Sequence, residues 1–140
     1  MLTGEEAERM AYLAGFTDGE GCVRWAHGPC LELTNTNRDI LETIRAEIGG
    51  VIRQTNAGKR GEKDRSCWRL ALHGETAEAL LFKLLPWLCI KRQQAQIVLD
   101  LAAARRTDTL TSEVLEEGLE FLKVDKAVAF DVRSDSETNE

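Results

Sequence analysis

The hydrophobic positions of this chain change period several times, and each change marks an element. Over 5–17, Ala7, Met10, Ala11, Ala14 and Gly15 recur at three- and four-residue spacing, which predicts a helix. Gly19 and Gly21 predict its end. From Cys22 the period drops to two. Val23 and Trp25 alternate with Cys22 and Arg24, and beyond a His27-Gly28-Pro29 turn Leu31 and Leu33 alternate with Glu32 and Thr34. Such a hairpin carries one apolar face and one polar face.

The helical period returns in "TNRDILETIRAEIGG". Thr36 or Asn37 can cap this second helix, Ile40, Leu41, Ile44 and Ile48 form its buried stripe, and Gly49-Gly50 ends it. "VIRQT" and "RSCWRLALH" read as a second strand pair joined by "NAGKRGEKD". Trp68, Leu70 and Leu72 face one way, and Arg65, Cys67 and Arg69 the other. The facing of the first of these strands stays open, because Val51 and Ile52 are both apolar. "ETAEALLFKLL" is a third helix stopped by Pro86. "IKRQQAQIVLDLAAARR" is a fourth, with Ile90, Gln94, Ile97, Val98 and Leu101 on its inner side. A weaker helix covers about 111–122, interrupted by Gly118, and the last dozen or so residues read as frayed. The order predicts an α+β domain with a four-stranded antiparallel sheet. Its body spans 1–106, and 107–140 form an acidic helix and tail packed on or trailing the same domain.

Composition adds limits. A chain of 140 residues, 43% hydrophobic and 30% charged, has room for one domain with a real core. No apolar run approaches the roughly 20 residues of a membrane span, and "MLTGEEAERM" is too acidic for a signal peptide. An intracellular location follows, in cytoplasm or nucleoid. Cys22, Cys30, Cys67 and Cys89 form no C-x-x-C pair and read as scattered reduced thiols. Net charge is -6, but its distribution matters more. Residues 1–106 hold 15 Lys/Arg and 14 Asp/Glu, whereas 107–140 hold 3 and 10. Inside the near-neutral body, "RQTNAGKRGEKDRSCWR" at 53–69 is locally positive.

The stretch "YLAGFTDGEGCV" carries the candidate chemistry. Ala11, Gly15 and Gly19 are spaced by four and leave one helix face almost without side chains, which suits close packing of a second helix. Glu20 follows at the junction between helix and strand. Two copies packed on these small faces bring two Glu20 carboxylates to one axis, and paired carboxylates can hold Mg²⁺ against a phosphate backbone. In isolation, Asp18-Gly19-Glu20-Gly21 reads as a turn before it reads as a metal site.

The context changes that balance. "LAGFTDGEG" resembles the LAGLIDADG motif of homing endonucleases, matching at Leu13, Ala14, Gly15, Asp18 and Gly21 with Phe16 and Thr17 as variants. The resemblance extends over roughly 10–105, and the predicted element order resembles that family's αββαββα fold, with a saddle-shaped sheet backed by helices. One copy of the motif is similar to the single-motif class, which works as a homodimer. The resemblance implies that Glu20, at the eighth motif position, is the catalytic metal ligand, with the Gly19 carbonyl beside it and Mg²⁺ (or Mn²⁺) as cofactor. Asp18 would buttress the helix end. Arg38 falls where family members carry a basic residue near the scissile phosphate. Lys91, in "LLPWLCIKRQQA", matches the lysine that polarises the attacking water or the phosphate.

The same resemblance lays the sheet in the major groove of double-stranded DNA. Its polar face would then present Arg24, Glu32, Thr34, Arg65 and Arg69, with Gln54 and Asn56, to base edges. Lys59, Arg60 and Lys63 in the second hairpin loop would reach phosphates. The reading that results is a homodimeric, metal-dependent, site-specific double-strand DNA endonuclease acting at a long pseudo-palindromic site. An organelle is a further location if the chain is encoded in an intron there. The competing readings are a non-cleaving DNA-binding regulator, an intron-RNA splicing factor, and a plain dimerisation module. Retention of Glu20, Arg38 and Lys91 favours cleavage.

Overall fold

A computed structural model describes residues 3–55 and 67–123. Helix α1 (Gly4–Glu20) starts at a Thr3 capping box, in which the Thr3 hydroxyl accepts from the Glu6 N–H and the Glu6 carboxylate accepts from the Thr3 N–H. It runs through Gly19 to Glu20, three residues beyond the expected end at 17. A lone Gly lowers helix propensity without forbidding the conformation, and the true stop is Gly21. A Cβ there would lie 2.8 Å from the Thr17 carbonyl and 3.0 Å from the Leu33 side chain, so the helix can turn into a strand only at a glycine.

Strands β1 (Gly21–Trp25) and β2 (Pro29–Asn35) form the first hairpin, turning at His27 and Gly28, both with positive φ. Helix α2 (Arg38–Ile48) begins at the Asn37 cap, whose side chain accepts from the Ile40 N–H. Strands β3 (Val51–Gln54) and β4 (Trp68–His73) form the second hairpin. Helix α3 (Gly74–Leu84) runs into a 3-10 turn over Leu85–Trp87 that accommodates Pro86. Helix α4 is Arg92–Arg106, and α5 covers 112–123. The strands join into one antiparallel sheet in the order β1-β2-β4-β3.

The alternation read from the sequence sorts the sheet. Val23, Leu31, Leu33, Leu70 and Leu72 are buried on one face and meet Leu13, Leu41, Ile44, Leu81, Leu84 and Val98 from the helices. Each such side chain contributes roughly 1.5–3 kcal/mol of transfer free energy. Helix α5 lies on this helix-bearing side: Leu122 joins the core and Gly118 packs against Leu101.

Helix faces follow side-chain volume, and one expectation, the inward facing of Ile90, needs correction. In α1 the buried residues are Leu13, Ala14 and Thr17, while Ala11 and Gly15 are exposed. Side-chain volume decides this: the leucine must be buried, and the small residues fall on the opposite side. Ile90 is 62% exposed, because α4 starts two residues after it and Gln94, Ala95 and Val98 take the inner side. Thr17, a variant position of the motif, is buried with its hydroxyl lacking a hydrogen-bond partner among the described residues, at a cost of about 1–3 kcal/mol.

Candidate active site and nucleic-acid interface

One end of the sheet gathers the ends of several elements. β1 starts there, β2 ends there, and β4 starts there, since Gly21 pairs with Leu33 and Asn35 with Trp68. Glu20, the last residue of α1, therefore lies one residue beyond the Gly21–Leu33 pair, at the level of Thr34. Its side chain is exposed, and among the described residues no hydrogen bond or ion pair engages its carboxylate.

Asp18 organises this end. Its Oδ2 accepts from the Cys89 N–H at 2.8 Å and its Oδ1 from the Lys91 N–H at 2.9 Å. The Lys91 ammonium turns back and donates to the Asp18 carbonyl at 2.8 Å. A carboxylate bonded to two backbone N–H groups makes strong, charge-assisted contacts. A cation on a helix's last carbonyls is favoured by the helix dipole. These three bonds bind the motif helix to the start of α4 and hold Lys91 on residue 18, two positions before Glu20 in the chain. They agree with the expected buttressing role of Asp18 and leave its side chain engaged.

Arg38 is the first residue of α2. Its guanidinium stacks over the Trp68 ring at 4.5 Å and pairs with Glu42 at 3.2 Å. Asn35 supports the turn into α2, with its Oδ1 accepting from the Asn37 N–H at 2.8 Å. The fold thus brings the α1 end with Glu20, the α2 start with Arg38 and the α4 start with Lys91 to a single end of the sheet, although the three side chains do not bond one another. The Trp68 platform beneath Arg38 was not legible in the sequence, because it comes from a strand 30 residues away.

The second candidate surface is the sheet face turned away from the helices. Cross-strand registers place Arg24 opposite Cys30, Glu32 between Cys22 and Ala71, and Thr34 opposite Arg69. Glu32 Oε2 accepts from Arg24 at 2.8 Å and lies 4.0 Å from Arg69. The Glu32 hydrogen bond holds the Arg24 guanidinium above its ordinary pKa, against a smaller opposing effect of burial. Burial, then Glu32, pushes the Cys30 thiol up, which keeps it a neutral packing residue.

Gln54 pairs with Trp68 and alternates with Ile52, so it stands on the helix-side set, not among the open-face residues. Arg53 holds the open-face position instead, directly opposite Arg69. The sequence left this strand's facing open, and the register against β4 settles it. Asn56, Lys59, Arg60, Lys63 and Arg65 lie outside the described residues. Ala11, Gly15 and Gly19 form an exposed strip on α1, and an added Cβ at Gly15 or Gly19 would meet nothing within 4 Å.

The donors at Glu20 suit a hard cation. A carboxylate and the neighbouring Gly19 peptide carbonyl are oxygen ligands of the kind Mg²⁺ prefers. Among the described residues, no group of three or more His, Cys, Asp or Glu side chains within this chain is arranged to hold a metal. With Asp18 committed to backbone N–H groups, one chain offers one carboxylate.

An antiparallel sheet with helices on one face, arginines on the other and an acidic helix terminus at its end, in the order αββαββα, defines the class of domain. A LAGLIDADG-like domain is matched over residues 7–84, more than half of the chain, and the protein belongs to that family. No curated protein matches the sequence. Among solved structures, the homing endonuclease I-CvuI in complex with its target in the presence of Ca is similar with a TM-score of 0.69 at 24% identity, over 88% of this chain and 85% of that one. I-CvuI in complex with an I-CreI target in the presence of Mg, with the DNA not cleaved, gives 0.68 at 25% identity over the same shares, 88% and 85%. The meganuclease I-AabMI bound to uncleaved DNA gives 0.58 at 22% identity over 81% of this chain and 43% of that one. The chain has the homing-endonuclease fold.

Proposed function

We propose that this protein is a site-specific DNA endonuclease that cuts both strands of a long pseudo-palindromic site as a homodimer, with a divalent metal ion. The observation that carries this reading is Glu20, an exposed carboxylate at the end of α1 with no partner among the described residues, two positions after the Asp18 that holds Lys91. The strip of Ala11, Gly15 and Gly19 beside it supports a dimer, because a second α1 packed there brings a second Glu20 to the same axis. The chain matches slightly less than half of the I-AabMI meganuclease, which fits two copies doing the work of one longer chain. I-CvuI structures with DNA and Ca or Mg support a divalent ion.

Glu20 and the Gly19 carbonyl would hold that ion. When bound, it supplies a hydroxide nucleophile at neutral pH and neutralises phosphate charge. Lys91, fixed by its own N–H and ammonium to residue 18, places a positive charge where the strained phosphate develops negative charge. Arg38, held flat on Trp68, adds a second cation at the mouth of the site. The open sheet face binds the duplex on either side of the cut.

The test is selection of cleaved duplexes from a randomised pool with Mg²⁺, using Glu20→Gln as the control. Cuts that require Glu20 and lie in a pseudo-palindromic sequence are expected. Bound but uncut DNA, the same for both proteins, would identify a non-cleaving DNA-binding regulator instead.

A further inference from the structure

Glu32 lies at the centre of the open face. Its cross-strand neighbours Cys22 and Ala71 are small, so they leave a shallow trough around it. The Glu32 side chain is 12% exposed, while Arg24 and Arg69 are each 46% exposed. The carboxylate is therefore the floor, and two guanidinium groups converge on it from opposite corners. Arg53 stands directly across from Arg69, a like-charge pair that destabilises a sheet in water. Among the described residues no carboxylate lies within ion-pair distance of Arg53. Three cations against one anion leave this face poised for a polyanion.

Glu32 touches the arginines on their inner side. Arg24 gives it one Nη group and keeps the rest of its donor fork for the outside. A free arginine loses much rotamer freedom when it docks on a base, and an arginine already held by a carboxylate loses less. The Arg24 and Arg69 donor nitrogens are separated by no more than the 2.8 Å and 4.0 Å contacts laid end to end. That upper bound is about the rise of two base-pair steps.

We propose that Glu32 is a positioning residue for base recognition, holding Arg24 and Arg69 as paired readers of two guanines that are adjacent or one base pair apart in each half-site. This rests on the DNA-binding part of the function proposed above. The carboxylate also repels phosphate, so it lowers affinity for random duplex while it sharpens selection. Glu32 is too covered to be the reader itself.

The experiment is enrichment of bound duplexes from a randomised pool by the full-length protein, without cleavage, for wild type, Glu32→Gln, Arg24→Lys and Arg69→Lys, each checked by thermal melting. Wild type is expected to enrich two guanines within two steps of each other. Arg24→Lys should lose preference for one of them by about tenfold and Arg69→Lys for the other, because lysine cannot form the bidentate contact. Glu32→Gln should weaken both preferences by roughly fivefold or more and bind random duplex more tightly. If Glu32→Gln selects the same bases as a selective wild type, or shifts only a cytosine preference, the inference is overturned and the function proposed above stands. Should Glu32→Gln not fold, unchanged guanine preferences in both lysine variants overturn it equally. A wild type that retains no duplex overturns both.

Discussion

Asp18 shows how much a single side chain decides. Its two carboxylate oxygens reach backbone N–H groups at residues 89 and 91, and its carbonyl takes the Lys91 ammonium. Removing the carboxylate leaves two N–H groups without their charged partner at a half-buried position. Asp18→Ala is expected to lower unfolding free energy by about 2 kcal/mol, seen as a lower urea midpoint at unchanged m-value. DNA cleavage should fall further than DNA binding does, since the sheet keeps its arginines while Lys91 loses its register on α1. Equal losses in both would mean that residue 18 serves stability alone.

At the scale of elements, junctions set the functional faces. β3 begins right after Gly49 and Gly50, whose φ values are 83° and 104°. At Gly49 an added Cβ meets nothing, so Gly49→Ala is expected to cost only the backbone strain of about 1–3 kcal/mol. At Gly50 the added Cβ would lie 2.8 Å from the Ala71 carbonyl and 2.9 Å from both Leu70 and Leu72. Gly50→Ala should therefore destabilise clearly more than Gly49→Ala in chemical unfolding. It should also weaken DNA binding in the surviving folded protein, because shifting β3 along β4 moves Arg53 away from Arg69. The hairpin at the other end of the sheet is anchored differently: Arg105 donates to the His27 carbonyl at 3.1 Å and stacks on Trp25 at 5.0 Å. Helix α4 thereby holds the far end of the first hairpin as well as Lys91.

For the whole molecule, the proposed dimer gives α1 two tasks that one substitution separates. Within a single chain Gly15 is exposed and unobstructed, and replacing a mid-helix glycine favours the helix by up to about 1 kcal/mol. Against a second α1 the same side chain would hold the backbones apart. Gly15→Leu is expected to keep or raise thermal stability and helical content while sedimentation shifts from dimer to monomer and cleavage is lost. A dimer of unchanged affinity would place the interface elsewhere.

Much of this was written in local spacing. The helix and strand order, the apolar sheet face and the cap at Asn37 follow from period and turn chemistry, which act between near neighbours in the chain, and the motif that holds Glu20 was legible only through its resemblance to a known family. Other features depend on residues far apart in sequence. The end of α1 moved from 17 to 20 because Gly21, not Gly19, lies against Leu33. The facing of Arg53 and Gln54 needed the register of β3 on β4, since Val51 and Ile52 look alike to any alternation rule. Asp18's grip on Lys91, the Trp68 platform under Arg38 and the shared carboxylate of Arg24 and Arg69 are contacts between elements. Their energy comes from geometry that exists only after the core has closed. Sequence determined which elements form and which residues carry charge; tertiary packing decided which of those charges meet.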